Sequence, residues 1–321
     1  MIFEHPQVLG NRIAELTGRK APGKIKIFEN TSEFMSIDVG DIVRLVRNDY
    51  LVVGQAREGR FGIDEQPKFW VKKVIDLTSG ERKIIKMVFR ETFNSQIGAT
   101  LFRSIRSPEK ESEILRKMRG HPHFMQGQSV RDMAGNLVRI VDFIPGPSLY
   151  EYLRLEKMPH KAYYNQKLSK IMQSLIECIE AIAHLHKRGL HHGDIRADHI
   201  IINNKTDTYV WIDFDYEVSN LQYDLLCLGN VLLQAVGKGR HSLEDIRFQP
   251  SDYPEYKNTL TSDDMSLMFR HRVANLRKLY PHISGALNEI LMRFSVGGID
   301  YYKNVDSLLE DLRVLFPSER C

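Results

Sequence analysis

The stretch His192-Gly193-Asp194-Ile195-Arg196-Ala197-Asp198-His199-Ile200, followed by Trp211-Ile212-Asp213-Phe214-Asp215, constrains this chain more than any other part of it. Each segment is a polar turn that carries an aspartate, and the apolar residues between them read as a short strand pair. A single aspartate in a turn is usually explained by the local hydrogen bonds it makes there. Two of them at a fixed interval, with Arg196 two residues beyond the first, point to carboxylates placed for chemistry.

Bulk properties narrow the setting. With 321 residues the chain has room for two lobes, and 42% hydrophobic content supplies a full-sized core. The 45 basic and 41 acidic residues nearly cancel, so neither a nucleic-acid nor a membrane partner is expected. The basic stretch 103–119 is interrupted by Glu109, Glu111 and Glu113 and reads as one solvated helix face. Cys178, Cys227 and Cys321 are odd in number and far apart, which argues against a disulfide framework or a zinc site. Cys178 and Cys227 lie in apolar helical patterns, as small core residues do. No basic segment followed by an apolar run opens the chain, and no run of 18 apolar residues occurs, so a cytoplasmic protein is expected.

The chain changes character along its length. Residues 1–35 read as an extension with a short helix at 11–17. Residues 36–144 are rich in strand patterns: runs at 50–53 and 69–77, a turn at Thr78-Ser79-Gly80-Glu81, and a return strand at 83–89. Pro108 then opens a helix that stops at Gly120-His121-Pro122. Beyond Pro145-Gly146-Pro147 helices dominate. A helix over 161–187 places Leu168, Ile171, Met172, Leu175, Ile179, Ile182 and Leu185 on one stripe. The expected class is α+β, with an antiparallel sheet-rich N-lobe (36–144) and a larger helical C-lobe (145–321).

Lys86 lies on the apolar strand Lys83-Ile84-Ile85-Lys86-Met87-Val88-Phe89 and shares a face with Ile84 and Val88. An ammonium on an apolar face calls for a partner, because burying it alone is costly. The following helix offers Glu111, three residues before Ile114 and so able to face inward beside it, with Glu113 facing the other way.

The two aspartate turns, in order and spacing, resemble the catalytic and metal-binding loops of the protein kinase-like superfamily. The resemblance extends over about residues 45–316. It takes in Lys86 and Glu111 as the strand–helix ion pair and Val141-Asp142-Phe143-Ile144-Pro145 as the hinge whose backbone at Asp142 and Ile144 holds adenine. Asp224 stands at the start of the helix that anchors the catalytic loop, and 287–291 and 302–312 match the closing helices of bacterial serine/threonine kinases. The resemblance implies ATP as cofactor with Mg²⁺, and phosphoryl transfer to a hydroxyl. Asp194 orients the attacking hydroxyl, Arg196 stands near the transferring phosphate, and Asp213 holds the metal.

Several positions depart from the family pattern. His199 replaces the metal-binding asparagine. Imidazole suits softer ions such as Mn²⁺, and Asp215, in place of a glycine, offers a further oxygen to a metal held by Asp213 and His199. Gly193 replaces the arginine that reads a phosphorylated activation loop, and only ten residues separate Asp213 from Asp224. Tyr301 stands where an arginine pairs with the activation segment's anchor. The glycine-rich loop is degraded to Gly59-Arg60-Phe61-Gly62-Ile63-Asp64-Glu65-Gln66-Pro67, where Pro67 removes an N–H and Asp64 and Glu65 repel phosphate. His-Gly-Asp and Ile-Asp-Phe-Asp also occur in the aminoglycoside phosphotransferase-like branch of the fold. Three functions follow: a serine/threonine protein kinase without a conventional activation loop, a pseudokinase acting as a nucleotide-binding or protein-interaction module, and a small-molecule kinase. The acceptor is accordingly a protein or a small molecule bearing a hydroxyl.

Overall fold

A computed structural model describes residues 2–3, 5–20, 23–60, 63–97, 100–218, 220, 222–248 and 259–317, with backbone alone at 58–60, 63–65, 95, 97 and 100. Contacts divide the chain into two compact units. One comprises 1–91, 106–121 and 125–144; the other comprises 92–105, 122–124 and 145–321.

The first unit opens with α1 (Pro6–Thr17), which has proline in its first turn and is closed by Gly18 at φ 67. Its Leu9 and Ile13 pack with Ile42, Leu51 and Leu77. The strands are β1 (Ile27–Phe28), β2 (Ile42–Leu45), β3 (Asn48–Arg60), β4 (Ile63–Asp76) and β5 (Arg82–Lys86). Next in the chain come β6 (Thr92–Ile97) and β7 (Thr100–Arg106), then α2 (Pro108–Lys117), β8 (Gly127–Arg131) and β9 (Leu137–Asp142). A seven-stranded sheet runs β1-β2-β3-β4-β5-β9-β8. It is antiparallel except where β1 meets β2. Ile85 and Met87 pack on its inner face with Val43, Val52, Val74 and Val138. The tip of the β3–β4 hairpin, Phe61 and Gly62, and the side chains of Gly59, Arg60, Ile63, Asp64 and Glu65 lie outside the described residues.

Helix α2 has local reasons to start at Pro108. The Ser107 hydroxyl accepts the Lys110 N–H at 3.2 Å, acids fill the first turn, and Arg116 and Lys117 fill the last. The basic stretch 103–119 is therefore not one solvated helix face. Arg103 belongs to β7. Arg106 is buried, its guanidinium 5.2 Å above the Trp70 ring and 3.6 Å from Glu91. Lys110 is buried as well.

The second unit contains α3 (Leu149–Leu155), α4 (His160–Gln166), α5 (Leu168–His186), β10 (Ile200–Asn203), β11 (Thr208–Trp211), β12 (Tyr216–Val218), α6 (Gln222–Gly237), α7 (Leu243–Phe248), α8 (Gly285–Met292) and α9 (Val305–Leu315). The helix expected over 161–187 is two helices, because Lys167 leaves helical geometry at φ −121. All seven residues of the expected stripe are buried on α5. Strands β10 and β11 form the strand pair between the two aspartate turns. The segment 145–148 lies along β10: Pro147 O accepts the Ile202 N–H at 2.9 Å and Pro145 O the Asn204 N–H at 2.8 Å. Gly146 permits this approach, since a Cβ there would stand 1.8 Å from Ile202 O. A separate three-stranded sheet has the order β12-β7-β6. Among the described residues no helix is long and apolar enough to cross a membrane.

Candidate functional site

In the first unit the last residue of β5, Lys86, donates to Glu111 Oε1 on α2. Glu111 Oε2 accepts from Arg139 Nε at 3.0 Å, so one carboxylate bridges two cations. All three side chains are buried, at 2% exposure or less. Arg139 also donates to the carbonyls of Met87 (3.2 Å) and Leu137 (2.9 Å), which ties its guanidinium to the residue that follows β5 and to β9. Glu113 points elsewhere and pairs with Lys117 at 2.8 Å. Arg139 is absent from the expected constellation. Its signal is an arginine inside Leu137-Val138-Arg139-Ile140-Val141, a setting in which a charged residue is rarely buried unless paired.

Further along this unit, Asp142 ends β9. Its N–H donates to Gln126 O at 2.8 Å, and its carboxylate pairs with Lys83 at 2.8 Å. Ile144 closes this part of the chain, two residues beyond the strand.

In the second unit the loop at 191–199 is clamped from beneath by Asp224, in the first turn of α6. Its Oδ2 accepts the His192 N–H at 2.7 Å and His186 Nε2 at 2.9 Å, and its Oδ1 accepts the Gly193 N–H at 2.7 Å. Burial alone would raise the Asp224 pKa. These donors and the nearby histidines outweigh it and hold the value at about 2, so the clamp is ionised at neutral pH. Gly193 has φ 83, a left-handed conformation that glycine adopts without penalty. Having turned there, the chain presents Asp194, whose N–H donates to His192 Nδ1 at 3.2 Å.

His199 is buried and bridges the loop. Its Nδ1–H donates to the Asp194 carbonyl at 2.8 Å, with Asp194 Oδ2 at 3.5 Å. Its Nε2 accepts from the Arg196 guanidinium at 3.2 Å and lies 3.7 Å from Asp213 Oδ2. Arg196 in turn makes a two-pronged pair with Asp198, at 3.1 and 2.5 Å. Asp198 was not among the expected site residues. It fixes the guanidinium, and its place two residues after Arg196 is the only signal of that in the sequence.

Asp213 sits at φ 58, left-handed for a residue with a side chain, and its carboxylate is partly exposed. Asp215 is buried at 1% exposure. Among the described residues no three His, Cys, Asp or Glu side chains form a group able to hold a metal. Both His199 nitrogens are engaged by other partners. Asp213 fits a Mg²⁺ that arrives with a nucleotide, since such ions often take one or two carboxylates and complete their shell with phosphates and water. The arrangement does not bring Asp213, His199 and Asp215 into a shared centre.

A family model described as the protein kinase domain matches residues 69–221. The serine/threonine-protein kinase cds1 of Schizosaccharomyces pombe is 21% identical over 164 residues, 51% of this chain and 32% of that protein. The probable serine/threonine-protein kinase fnkE of Dictyostelium discoideum is 23% identical over 211 residues, 63% of this chain and 15% of that protein. The chain thus spans about a third or less of these curated relatives. The kinase domain of PknI from Mycobacterium tuberculosis superposes with a TM-score of 0.50 at 13% identity, covering 87% of this chain and 98% of that domain. That likeness concerns the fold, which is the α+β protein kinase fold. Over residues 69–221 the chain is similar to protein kinase domains, and its fold is similar to that of a kinase domain.

Proposed function

We propose that this chain is an ATP-dependent phosphotransferase that acts on a serine or threonine hydroxyl of a protein without a conventional activation loop. The observation that carries the reading is the Asp224 clamp. A buried, ionised carboxylate grips two consecutive N–H groups of the 191–199 loop and so fixes where Asp194 stands. A carboxylate held this way can take up the proton of an attacking hydroxyl. Lys86, set by Glu111, is suited to the nucleotide's phosphates, and the backbone at Asp142 and Ile144 to its adenine. Arg196, held by Asp198, offers positive charge to the transferring group. Asp213 would hold the Mg²⁺ or Mn²⁺ of the bound nucleotide, which supplies charge neutralisation on the phosphates. The absence of an activation loop is supported by the interval from Asp213 to Asp224, of which Tyr216–Val218 already forms a strand and Gln222 already begins α6.

The test is transfer of label from γ-labelled ATP to a panel of serine- and threonine-containing proteins, with Asp194→Asn beside the parent chain. Loss of a general base typically costs about 10²- to 10⁴-fold, so the variant should retain at most about 1% of the transfer. Equal transfer by both would sink the reading.

A second reading, a nucleotide-binding module without transfer, is favoured by one observation: His199 spends both ring nitrogens on Asp194 and Arg196. On that reading ATP with Mg²⁺ or Mn²⁺ raises the melting temperature while no label moves.

A further inference from the structure

We infer that the β6–β7 hairpin does the holding that an activation segment would otherwise do. It fixes the Asp213 turn by bracing β12, with Phe93 and Phe102 as the positioning residues. The importance of Asp213 here rests on the phosphotransferase reading; the bracing itself does not.

The turn needs outside support. Asp213 occupies a left-handed conformation, which for a residue with a side chain persists where the surroundings over-determine it. β11 ends two residues before it, and the element that follows, β12, is three residues long and begins three residues further on. A strand that short is not stable without partners. One tie comes from the residue preceding the catalytic-loop histidine: the Val218 N–H donates to His191 Nε2 at 3.0 Å. At the turn itself the Ile212 N–H donates to His199 O at 3.0 Å and Phe214 packs against Phe124 and His192; beyond it, β12 is supported by β7, the middle strand of the β12-β7-β6 sheet.

Side chains reinforce the strand pairing. Phe93 on β6 packs edge-on against Tyr216 of β12, centroids 5.1 Å apart at 79°. Phe102 on β7 packs against Tyr223 at the start of α6, centroids 5.2 Å apart. Tyr216, Phe102 and Tyr223 are all buried. The partner of Phe93 across the hairpin is Ser104, fully buried on the middle strand. A small side chain there lets a ring on one outer strand reach a ring on the other, two strands away. The two aromatic contacts therefore grip the 214–223 segment at both ends, next to Asp215 and next to Asp224.

The hairpin's place in the chain gives this consequence. It is inserted between the strand of Lys86 and the helix of Glu111, yet its residues 92–105 group with the second unit. A segment from elsewhere in the sequence thus supplies the bracing strand, and no modification is needed to order the Asp213 turn.

Hydrogen exchange on the full chain, combined with nucleotide titration, tests this. In the parent chain, amides at 212–218 exchange slowly. In Phe93→Ala and Phe102→Ala exchange there accelerates about 10-fold or more, and metal-dependent ATP affinity weakens about 3- to 10-fold, the range expected for loss of one aromatic contact. Phe102→Leu, which keeps the apolar bulk, restores most of both. Leu309→Ala in α9, a buried control of comparable melting loss, leaves 212–218 protected. Unchanged exchange at 212–218 in both alanine variants, or an equal rise in Leu309→Ala, overturns the inference. Absence of any nucleotide binding by the parent chain would instead sink the phosphotransferase reading, with the exchange data still deciding the role of the hairpin.

Discussion

Glu111 pairs with two cations at once, because Lys86 and Arg139 both depend on it and both are buried. Removing it strands two cations out of water, and breaking a buried ion pair from one side typically costs about 3–5 kcal/mol. Glu111→Ala should therefore lower the stability seen in urea unfolding by about that amount. Glu113→Ala, which removes a solvent-exposed i,i+4 pair with Lys117, should cost well under about 1 kcal/mol. Similar losses in the two variants would show that the Lys86–Glu111–Arg139 cluster is not the buried unit described. Lys86 and Glu111 were legible in the sequence because an apolar strand around one and an Ile three residues after the other fix which way each points. Arg139 was not, because nothing local says which of the acids a buried arginine will find. The same limit applies at His199. A histidine in a metal-ligand position suggests a ligand, and only the fold reveals that Asp194 O and Arg196 take up its two nitrogens.

Elements whose buried face is apolar were readable, and those whose buried face is polar were not. The α5 stripe follows the 3.6-residue period and is buried as expected. The β6–β7 hairpin has no clear pattern in the sequence because β7 turns Phe102, Ser104 and Arg106 inward while Leu101 is 63% exposed, the reverse of the usual alternation. The start of α4 hides a similar polar interior. His160 lies against the Tyr280 ring at 3.5 Å, donates from Nε2 to Val236 O at 2.9 Å, and accepts from His282 at 2.8 Å. Burial pushes its pKa down to about 4, and burial also lowers His241 and His282. The folded chain therefore binds fewer protons here than the unfolded chain does. The stability from a neutral His160 is fully present above the ordinary histidine value of 6.5 and is lost as pH falls through about 4. Discounted for partial solvent access, that amounts to about 2–3 kcal/mol. Urea midpoints should fall steadily between pH 6.5 and 4.5, and His160→Gln should flatten the slope. A slope unchanged in the variant would remove His160 from the account.

At the scale of the whole molecule the chain order and the packing order differ. The composition change at Pro145-Gly146-Pro147 suggests cutting there to obtain a helical domain of residues 145–321. The packed second unit also needs 92–105 and 122–124. Without 122–124, the Trp211 N–H loses His123 O at 2.9 Å, and Phe214 loses the Phe124 ring, centroids 5.9 Å apart. Without the hairpin, β12 becomes an unpaired edge and Tyr216 and Tyr223 lose their aromatic partners, which invites association between chains. Phe102 and Phe124 are both fully buried. Two such side chains contribute roughly 3–6 kcal/mol together, a large share of the 5–15 kcal/mol by which a typical domain is stable. Residues 145–321 expressed alone should therefore melt without a cooperative transition and give little near-ultraviolet circular dichroism from Trp211, while the full chain shows both. A cooperative melt of the fragment within a few degrees of the full chain would show that the two inserted segments are ornaments on a self-sufficient domain rather than parts of its core.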